Sequence, residues 1–285
     1  KKFDGEIVSC DSMQLYKYMD IGSAKPSSDE LNQVKHHLIG VVEPREMFSV
    51  AKYKELANEA IDDIISRGKL PIIAGGTGLY LDALLYDLDF AAAPSDSSLR
   101  DKLYKIAEEK GNLELHAILQ ECDPSSAKRI HPNNVRRVVR AIESAKSGVQ
   151  LKDFARDLSL NDKYEFILIG LRRDREELYD RINRRVDVLV EEGLFEEVKM
   201  LREMGLSESD ISMKGIGYKE VLAYFDGEYD LETAIDTIKK NTRHFAKRQI
   251  TWLKRYDDMK WFDLSESKED KDSIREIITW LEKGL

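Results

Sequence analysis

Residues 70–78 read Leu70-Pro71-Ile72-Ile73-Ala74-Gly75-Gly76-Thr77-Gly78. The apolar first half is typical of a short strand that a parallel sheet buries on both faces. The glycines then allow a tight turn into a helix, where free backbone N–H groups and the positive helix end face an anion. A strand-to-helix turn without a ligand explains the same residues, so this loop alone leaves its ligand open.

The segment before this strand predicts an amphipathic helix over residues 49–67. Its apolar positions recur at helical spacing, Ser49 is a typical N-cap and Gly68 a typical stop. Three further apolar runs have the length of strands, at residues 6–10, 37–42 and 166–171. Strands that alternate with helices predict an α/β fold, with an open parallel sheet flanked by helices.

Residues 92–160 carry helical patterns and no strand signal. We therefore expect an α/β core from residues 1–91 and 161–285, interrupted by an all-helical insertion. Long helices are predicted over 174–204 and 229–256, and a short one within 267–285. The first residues read as the end of a helix, a Gly5 stop and a strand, so we expect a strand, a loop and a helix of roughly 25 residues to precede them.

The composition is that of a folded, soluble protein. Of the 285 residues, 42% are hydrophobic and 35% charged, and no apolar run approaches the length of a membrane span. Two separated cysteines provide neither a zinc motif nor a disulfide framework, which favours the cytoplasm.

The charge is unevenly distributed along the chain. The net charge of −9 argues against a wholly basic nucleic-acid coat, yet residues 128–140 and 239–255 are strongly basic. Arg136, Arg137 and Arg140 share a helix whose other face is apolar, an array that can bind phosphates. A solvated basic face is the ordinary alternative, but two basic segments in an acidic chain favour a large polyanion such as a nucleic acid.

Three other segments have a structural and a functional interpretation. Asp11-Ser12-Met13-Gln14 follows the first strand, where open α/β sheets bind ligands, although an Asp there also caps turns. By spacing, Arg181, Arg184 and Arg185 are ordinary helix-surface charges. The glycines in residues 214–220 permit a close backbone contact or merely lead into a helix.

Taken in order, these segments resemble the tRNA dimethylallyltransferase family, also called tRNA isopentenyltransferases, over nearly the whole chain. The resemblance rests on residues 11–14, Met19-Asp20-Ile21-Gly22-Ser23-Ala24-Lys25-Pro26, His36-His37-Leu38, Gly75-Gly76-Thr77-Gly78-Leu79-Tyr80, Arg129-Ile130-His131-Pro132-Asn133, Gly215-Ile216-Gly217-Tyr218-Lys219-Glu220 and Ala246-Lys247-Arg248-Gln249-Ile250-Thr251-Trp252. Ser23 replaces the threonine common in that family and keeps its hydroxyl.

The resemblance implies a fold related to P-loop kinases. It also implies an enzyme that uses Mg²⁺ to transfer a dimethylallyl group from dimethylallyl diphosphate to tRNA. The acceptor would be N6 of the adenine beside the anticodon, at position 37 of the tRNA. The helical insertion would grip the anticodon stem-loop. The nucleotide-binding P-loop of the family would precede Lys1. We expect a monomer that binds no membrane.

The resemblance also implies site residues. Asp11 matches the catalytic base, while Thr77 and Arg185 match positions that act on the diphosphate, together with Gly75 and Gly76. Gln14 and the loop around Gly217 would hold the flipped base. Contacts to tRNA are implied for Asp11, Ser12, Met13, Gln14, Thr77, Arg100, Arg136, Arg137, Val138, Val139, Arg140, Lys214, Gly215, Ile216, Gly217, Tyr218 and Lys219.

Two alternatives belong to other classes. A small-molecule or nucleotide kinase on the same scaffold shares the sheet and the Gly-rich loop, but it has no use for two basic surfaces. A non-catalytic RNA-binding protein explains the arginines, but not an aspartate at the end of a strand beside a Gly-Gly-Thr loop.

Overall fold

The computed structural model describes residues 1–88, 97–148, 159–265 and 270–284. The chain forms two compact units: Lys1–Leu85 with Asn161–Leu285, and Tyr86–Leu160. The second unit therefore begins before residue 92, the start expected from the sequence. None of the helices in the described ranges is both long and apolar enough to cross a membrane.

The first part of the larger unit contains a parallel sheet. In chain order its elements are β1 (Gly5–Ser9), α1 (Ser28–Gln33), β2 (His36–His37), α2 (Val50–Ser66), β3 (Leu70–Ala74) and α3 (Gly78–Leu85). The strands lie in the order β2-β1-β3, and β1 pairs with β3 along its whole length, from Gly5 opposite Leu70 to Ser9 opposite Ala74. The predicted α/β class, a parallel sheet flanked by helices, is confirmed.

Helix α2 follows its sequence pattern. The Ser49 side chain accepts a hydrogen bond from the Lys52 N–H, which caps the first turn. Tyr53, Ala57, Ile61 and Ile64 are buried on one face, as a period of 3.6 residues requires. Helix α2 leads into β3, which runs parallel to β1. The Gly-rich loop follows β3 and therefore lies at the carboxyl edge of the sheet.

The strand expected over residues 37–42 is much shorter than predicted. Only His36 and His37 pair with β1, and Val42 makes an isolated bridge to Tyr16. Leu38 and Gly40 have φ values of +62° and +61°, which are incompatible with an extended strand. The apolar run therefore leaves the sheet after His37 instead of continuing beside β1.

In the smaller unit the described residues, 86–88, 97–148 and 159–160, form helices and their connections, together with an isolated bridge between Tyr86 and Leu160. Its helices are α4 (Ser97–Lys110), α5 (Asn112–Cys122), α6 (Pro124–Arg129) and α7 (Val135–Lys146). They pack around a core that includes Leu103, Leu115 and Ile142.

The rest of the larger unit supplies more helices and a second pair of parallel strands. In chain order these are β4 (Ile169–Arg172), α8 (Arg175–Glu191), α9 (Leu194–Glu203), a 3₁₀ turn (Ser212–Lys214), α10 (Tyr218–Phe225), α11 (Leu231–Leu253), β5 (Lys260–Asp263) and α12 (Asp270–Gly284). The helix predicted over 174–204 is divided at Gly193, whose φ of +104° ends one helix before the next begins. Strand β5, which pairs with β4, is not predicted by the sequence pattern.

A buried ion-pair network stabilises the amino end of β1. Glu6 is 3% exposed and accepts hydrogen bonds from both terminal nitrogens of Arg67, at 2.5 and 2.7 Å. His37 lies 2.8 Å from the same carboxylate. Hydrogen bonds from Arg67 and His37 hold the pKa of Glu6 well below its ordinary value.

This low pKa predicts an acid-dependent contribution to stability. The contribution is present above the unfolded-state pKa of Glu6 and is lost as pH falls through the lower folded-state pKa. Glu6→Gln should therefore lower Tm near neutral pH, and the difference from the parent should shrink below about pH 4. Thermal unfolding measured across pH tests this, with the exposed Glu59→Gln as control. A pH-independent difference would contradict it.

Candidate active site

In the turn after β1, one carboxylate oxygen of Asp11 is hydrogen-bonded and the other is not. Oδ1 accepts hydrogen bonds from the N–H groups of Met13, at 2.7 Å, and Gln14, at 3.3 Å. Oδ2 accepts no hydrogen bond from any residue that the structure describes. Asp11 therefore caps its turn, as the structural interpretation predicts, and still has a free carboxylate oxygen available for chemistry.

The Gly-rich loop folds back onto this turn. The Thr77 N–H donates to the Cys10 carbonyl at 3.0 Å, and Thr77 Oγ1 accepts from the Ser12 N–H at 3.0 Å. Gly75 has a φ of +153°, and a Cβ there would lie 2.4 Å from the Cys10 carbonyl carbon and oxygen. The loop can approach the turn this closely because residue 75 is glycine.

Cys10 lies between β1 and Asp11 in the chain, and its side chain is buried. Burial raises the pKa of its thiol to about 12. The thiol therefore stays protonated at neutral pH and is a poor nucleophile.

Helix α11 lies behind the Gly-rich loop. Gln249 Nε2 donates to the Gly76 carbonyl at 3.1 Å, and a Cβ on Gly78 would lie 2.4 Å from the Trp252 ring. Next to this contact lies an open groove of about 570 Å³, lined by His244, Lys247, Arg248, Thr251, Trp252 and Arg255. The predicted basic segment is thus in part an exposed, positively charged groove.

Gln14 uses its side-chain amide within the protein. Its Nε2 donates to the carbonyls of Ser23, at 3.4 Å, and Ala24, at 3.2 Å, while its Oε1 accepts from Ser9 Oγ at 3.1 Å. Ser23 Oγ donates to the Met19 carbonyl. The hydroxyl kept at position 23 thus stabilises the segment that Gln14 binds.

The loop over residues 214–219 lies against the same turn. A Cβ on Gly215 would lie 2.5 Å from Met13 Cε, and Gly217 has a φ of +96°. Lys214 and Lys219 are exposed, and Ile216 is half-buried. Tyr218 is fully buried, so its side chain packs in the core and is not available to a ligand.

Arg185 makes no contact with this cluster among the residues that the structure describes. It is exposed on α8, and its charge helps to lower the pKa of Glu30, after the larger effect of hydrogen bonds from Ser27. No contact among the described residues joins Arg185 to Asp11 or Thr77. Its neighbour Arg184 pairs with Asp180 at 2.6 Å, as expected for ordinary helix-surface charges.

In the helical unit, the arginines of α7 fall into two groups. Arg136 and Arg137 are exposed. Arg140 and Arg100 instead pair with the buried carboxylate of Glu143, at 3.4 and 2.7 Å. The side chains of Val138 and Val139 are 0% and 2% exposed and pack in the core, where they have no surface to offer to RNA.

Sequence reasoning missed three buried or half-buried residues that hold these parts in place: Glu143, Glu197 and Gln249. Glu143 had a signal, because it is a carboxylate four residues after Val139 on the apolar face of α7. Gln249 lies in the family-like segment 246–252, but its contact with Gly76, 173 residues away in the chain, has no local signal. Glu197 contacts residues 20–22, more than 170 residues away, and no local pattern indicates it.

The comparisons with known proteins agree with one another. The family model described as IPP transferase matches residues 14–256. The tRNA dimethylallyltransferase of Alkaliphilus oremlandii is 50% identical over 266 residues, covering 93% of this chain and 85% of the relative. That of Clostridioides difficile is 48% identical over 285 residues, covering 100% and 92%.

Two solved structures are similar over almost the whole chain. The tRNA isopentenylpyrophosphate transferase of Bacillus halodurans is 42% identical with a TM-score of 0.72, covering 99% of this chain and 88% of that one. A eukaryotic dimethylallyltransferase acting on tRNA is 29% identical with a TM-score of 0.80, covering 97% and 72%.

Proposed function

The chain belongs to the IPP transferase family and is an enzyme that transfers a dimethylallyl group to tRNA; we propose that the turn at Asp11 and the Gly-rich loop at Thr77 form its catalytic centre. The acceptor is N6 of the adenine beside the anticodon, and the donor is dimethylallyl diphosphate. The observation that carries the assignment is the free Oδ2 of Asp11 beside a loop suited to a diphosphate.

Asp11 supplies the base. An exocyclic adenine amine is a weak nucleophile because its lone pair is delocalised into the ring. As N6 bonds to the allylic carbon, the carbon–oxygen bond to diphosphate breaks and its electron pair leaves with the diphosphate. The proton released by N6 passes to Asp11 Oδ2, while Oδ1 keeps its hydrogen bonds to the turn.

The Gly-rich loop binds the leaving diphosphate. Gly75 and Gly76 bring backbone close to the anion, and the Thr77 hydroxyl, which already lies 3.4 Å from Ser12 Oγ, adds a polar group. We assign Arg185 to the same anion, on the match to the family alone. Its exposure leaves the guanidinium free to approach a bound diphosphate.

Mg²⁺ fits this donor set as an ion held mainly by its substrate. The described residues contain no cluster of three His, Cys, Asp or Glu side chains that could hold a metal. Mg²⁺ at phosphate sites commonly keeps waters and phosphate oxygens and takes few protein ligands. The adjacent hydroxyls of Ser12 and Thr77 are suitable oxygen ligands. When bound, the ion neutralises charge that develops on the diphosphate.

The base must leave the anticodon loop stack to reach Asp11. Met13 packs closely against Gly215 beside the turn, and we assign the flipped adenine to this side of Asp11. The exposed Lys214 and Lys219, like Arg136 and Arg137 of the helical unit and the groove on α11, provide cations for the tRNA phosphates.

Three parallel incubations test the proposed function. The full-length protein and unmodified tRNA receive labelled dimethylallyl diphosphate, ATP labelled in its terminal phosphate, or neither. We expect label in tRNA only from the allylic donor, recovered in one adenosine beside the anticodon. Transfer of phosphate from ATP would support the kinase, and tRNA binding without any transfer would support a non-catalytic RNA-binding protein.

The exposed arginines of α7 predict a specific effect of salt. Arg136→Ala with Arg137→Ala should weaken tRNA binding and reduce the slope of log K against log salt by roughly 1.4 to 1.8 units, because each phosphate contact contributes about 0.7 to 0.9. Binding titrations at several salt concentrations measure the slope. Lys146→Ala, exposed at the other end of the helix, is the control. An unchanged slope in the double variant would remove these arginines from the tRNA surface.

A further inference from the structure

Glu197 is a buried carboxylate that the proposed chemistry does not use. It lies on α9, is 8% exposed and accepts four hydrogen bonds. Oε2 accepts from the backbone N–H groups of Asp20 and Ile21, both at 2.7 Å. Oε1 accepts from the Gly22 N–H at 3.0 Å and from the Tyr218 hydroxyl at 2.8 Å.

These four donors are neutral groups, and together they balance the cost of a buried charge. An isolated carboxylate away from water is strongly unfavourable unless hydrogen bonds replace its hydration. Its two oxygens can accept about four hydrogen bonds, and all four are accepted only while the group is ionised. Three consecutive backbone N–H groups form an anion-binding nest, and Glu197 is its anion.

One side of this arrangement leads to Gln14. The nest over residues 20–22 continues into Ser23 and Ala24, whose carbonyls accept the Gln14 amide. Gln14 in turn donates its backbone N–H to Asp11 Oδ1. Glu197 therefore supports, through one loop, the turn that carries the base.

The other side leads to the loop over residues 214–219. Burial raises the pKa of Tyr218, with the Glu197 charge as the next cause, so the hydroxyl keeps its proton and remains a donor. The ring leaves no space for a side chain at residue 22, since a Cβ on Gly22 would lie 2.5 Å from Tyr218 Cζ. Three residues before Tyr218, Gly215 lies against Met13.

We propose that Glu197 is a positioning residue for the transfer reaction, holding residues 20–22 and the loop at Tyr218 together so that Gln14 and Met13 keep their places beside Asp11. This inference rests on the proposed function. Glu197 acts through the two loops and does not touch the substrate. The Gly-rich loop is held separately, by Cys10, Ser12 and Gln249. The inference therefore predicts an effect on the tRNA side and little effect on the diphosphate side.

The test is a steady-state comparison of Glu197→Gln with the parent. Gln has nearly the same shape, but its NH₂ group cannot accept hydrogen bonds. It would face N–H or O–H groups that now donate to a carboxylate oxygen. We expect kcat/KM for tRNA to fall at least tenfold, mainly through KM, with KM for dimethylallyl diphosphate within about twofold. Glu196→Gln is the matched control, since Glu196 is the exposed neighbour on the same helix.

A double variant tests the route through Gln14. If Glu197 acts through that side chain, Glu197→Gln combined with Gln14→Ala should lose less than the product of the two single losses. A purely structural role would lower Tm and the fraction of active enzyme. It would therefore lower kcat and leave the KM values for tRNA and for dimethylallyl diphosphate unchanged. That pattern, or fully multiplicative losses, would overturn the proposal.

A milder variant covers the case in which Glu197→Gln does not fold. Tyr218→Phe removes one of the four donors and keeps the ring, so we expect a rise of about threefold in KM for tRNA. An unchanged KM for tRNA would overturn the proposal. A parent protein that binds tRNA but transfers no allyl group would instead show that the proposed function has failed, and the inference would fail with it.

Discussion

Asp11→Asn should slow the transfer step by roughly 10² to 10⁴, the usual effect of losing a general base. The amide keeps the size of the carboxylate, and its oxygen can still accept from the N–H groups of Met13 and Gln14. The turn is thereby preserved while proton acceptance is lost. We therefore expect kcat to fall with KM for tRNA nearly constant, as for an interaction that matters mainly in the transition state.

A second substitution separates the base from the cap. Asp11→Ala removes both the base and the cap. It should therefore slow transfer as much as Asp11→Asn does and also lower the free energy of unfolding. Single-turnover transfer with both substrates saturating measures the chemical step. If Asp11→Asn stays within a few-fold of the parent while Asp11→Ala is impaired, Asp11 is only a cap.

Gly75→Ala should disrupt the Gly-rich loop. The new Cβ would lie 2.4 Å from the Cys10 carbonyl, and a φ of +153° is rarely adopted by residues with a side chain. Backbone strain of this kind costs about 1–3 kcal/mol, and the loop can relieve it only by moving away from the turn. We expect a lower free energy of unfolding and transfer reduced at least tenfold, because the diphosphate site and Asp11 are no longer adjacent.

Gly76→Ala is the informative comparison for stability. Its Cβ would meet the end of the Gln249 side chain, which can rotate away, rather than backbone. Chemical denaturation should therefore show a smaller loss for Gly76→Ala than for Gly75→Ala. Equal stability of Gly75→Ala and the parent would mean that the loop does not depend on close approach to Cys10.

The parts of the fold that repeat a local pattern could be predicted from the sequence. Helix α2 combines a capped start with four buried positions at helical spacing, and β3 is a short apolar run that ends in glycines. Helix α7 separates arginines from valines on opposite faces. In each, residues close in sequence determine the element, and in the two helices they also determine the buried face. The expected burial of β3 on both faces is wrong: it is the last strand in the order β2-β1-β3, and its residues are half-buried or exposed.

The parts that depend on distant residues could not be predicted. The apolar run at residues 37–42 has the composition of a strand, but the positive φ values at Leu38 and Gly40 bend it away from β1. Strand β5 has four residues, too few for a periodic signal, and becomes a strand because β4 lies beside it. Glu197 lies within the amphipathic pattern of α9, and only the folded chain brings residues 20–22 to it.

The catalytic residues follow the same division. Asp11 and Thr77 are recognisable from motifs, but their proximity depends on the pairing of β1 with β3 and on Gly75. The sequence groups Arg136, Arg137 and Arg140 as one array on the polar face of a helix. The structure separates the exposed Arg136 and Arg137 from Arg140, which pairs with a buried carboxylate.

The most direct test of the catalytic centre is a crystal structure of the full-length protein with an anticodon stem-loop and an unreactive analogue of dimethylallyl diphosphate. We predict that N6 of the flipped adenine lies within hydrogen-bonding distance of Asp11 Oδ2, about 2.6–3.2 Å, and that the diphosphate contacts the loop from Gly75 to Thr77. An adenine bound beyond the reach of Asp11, or a diphosphate bound away from that loop, would contradict this account.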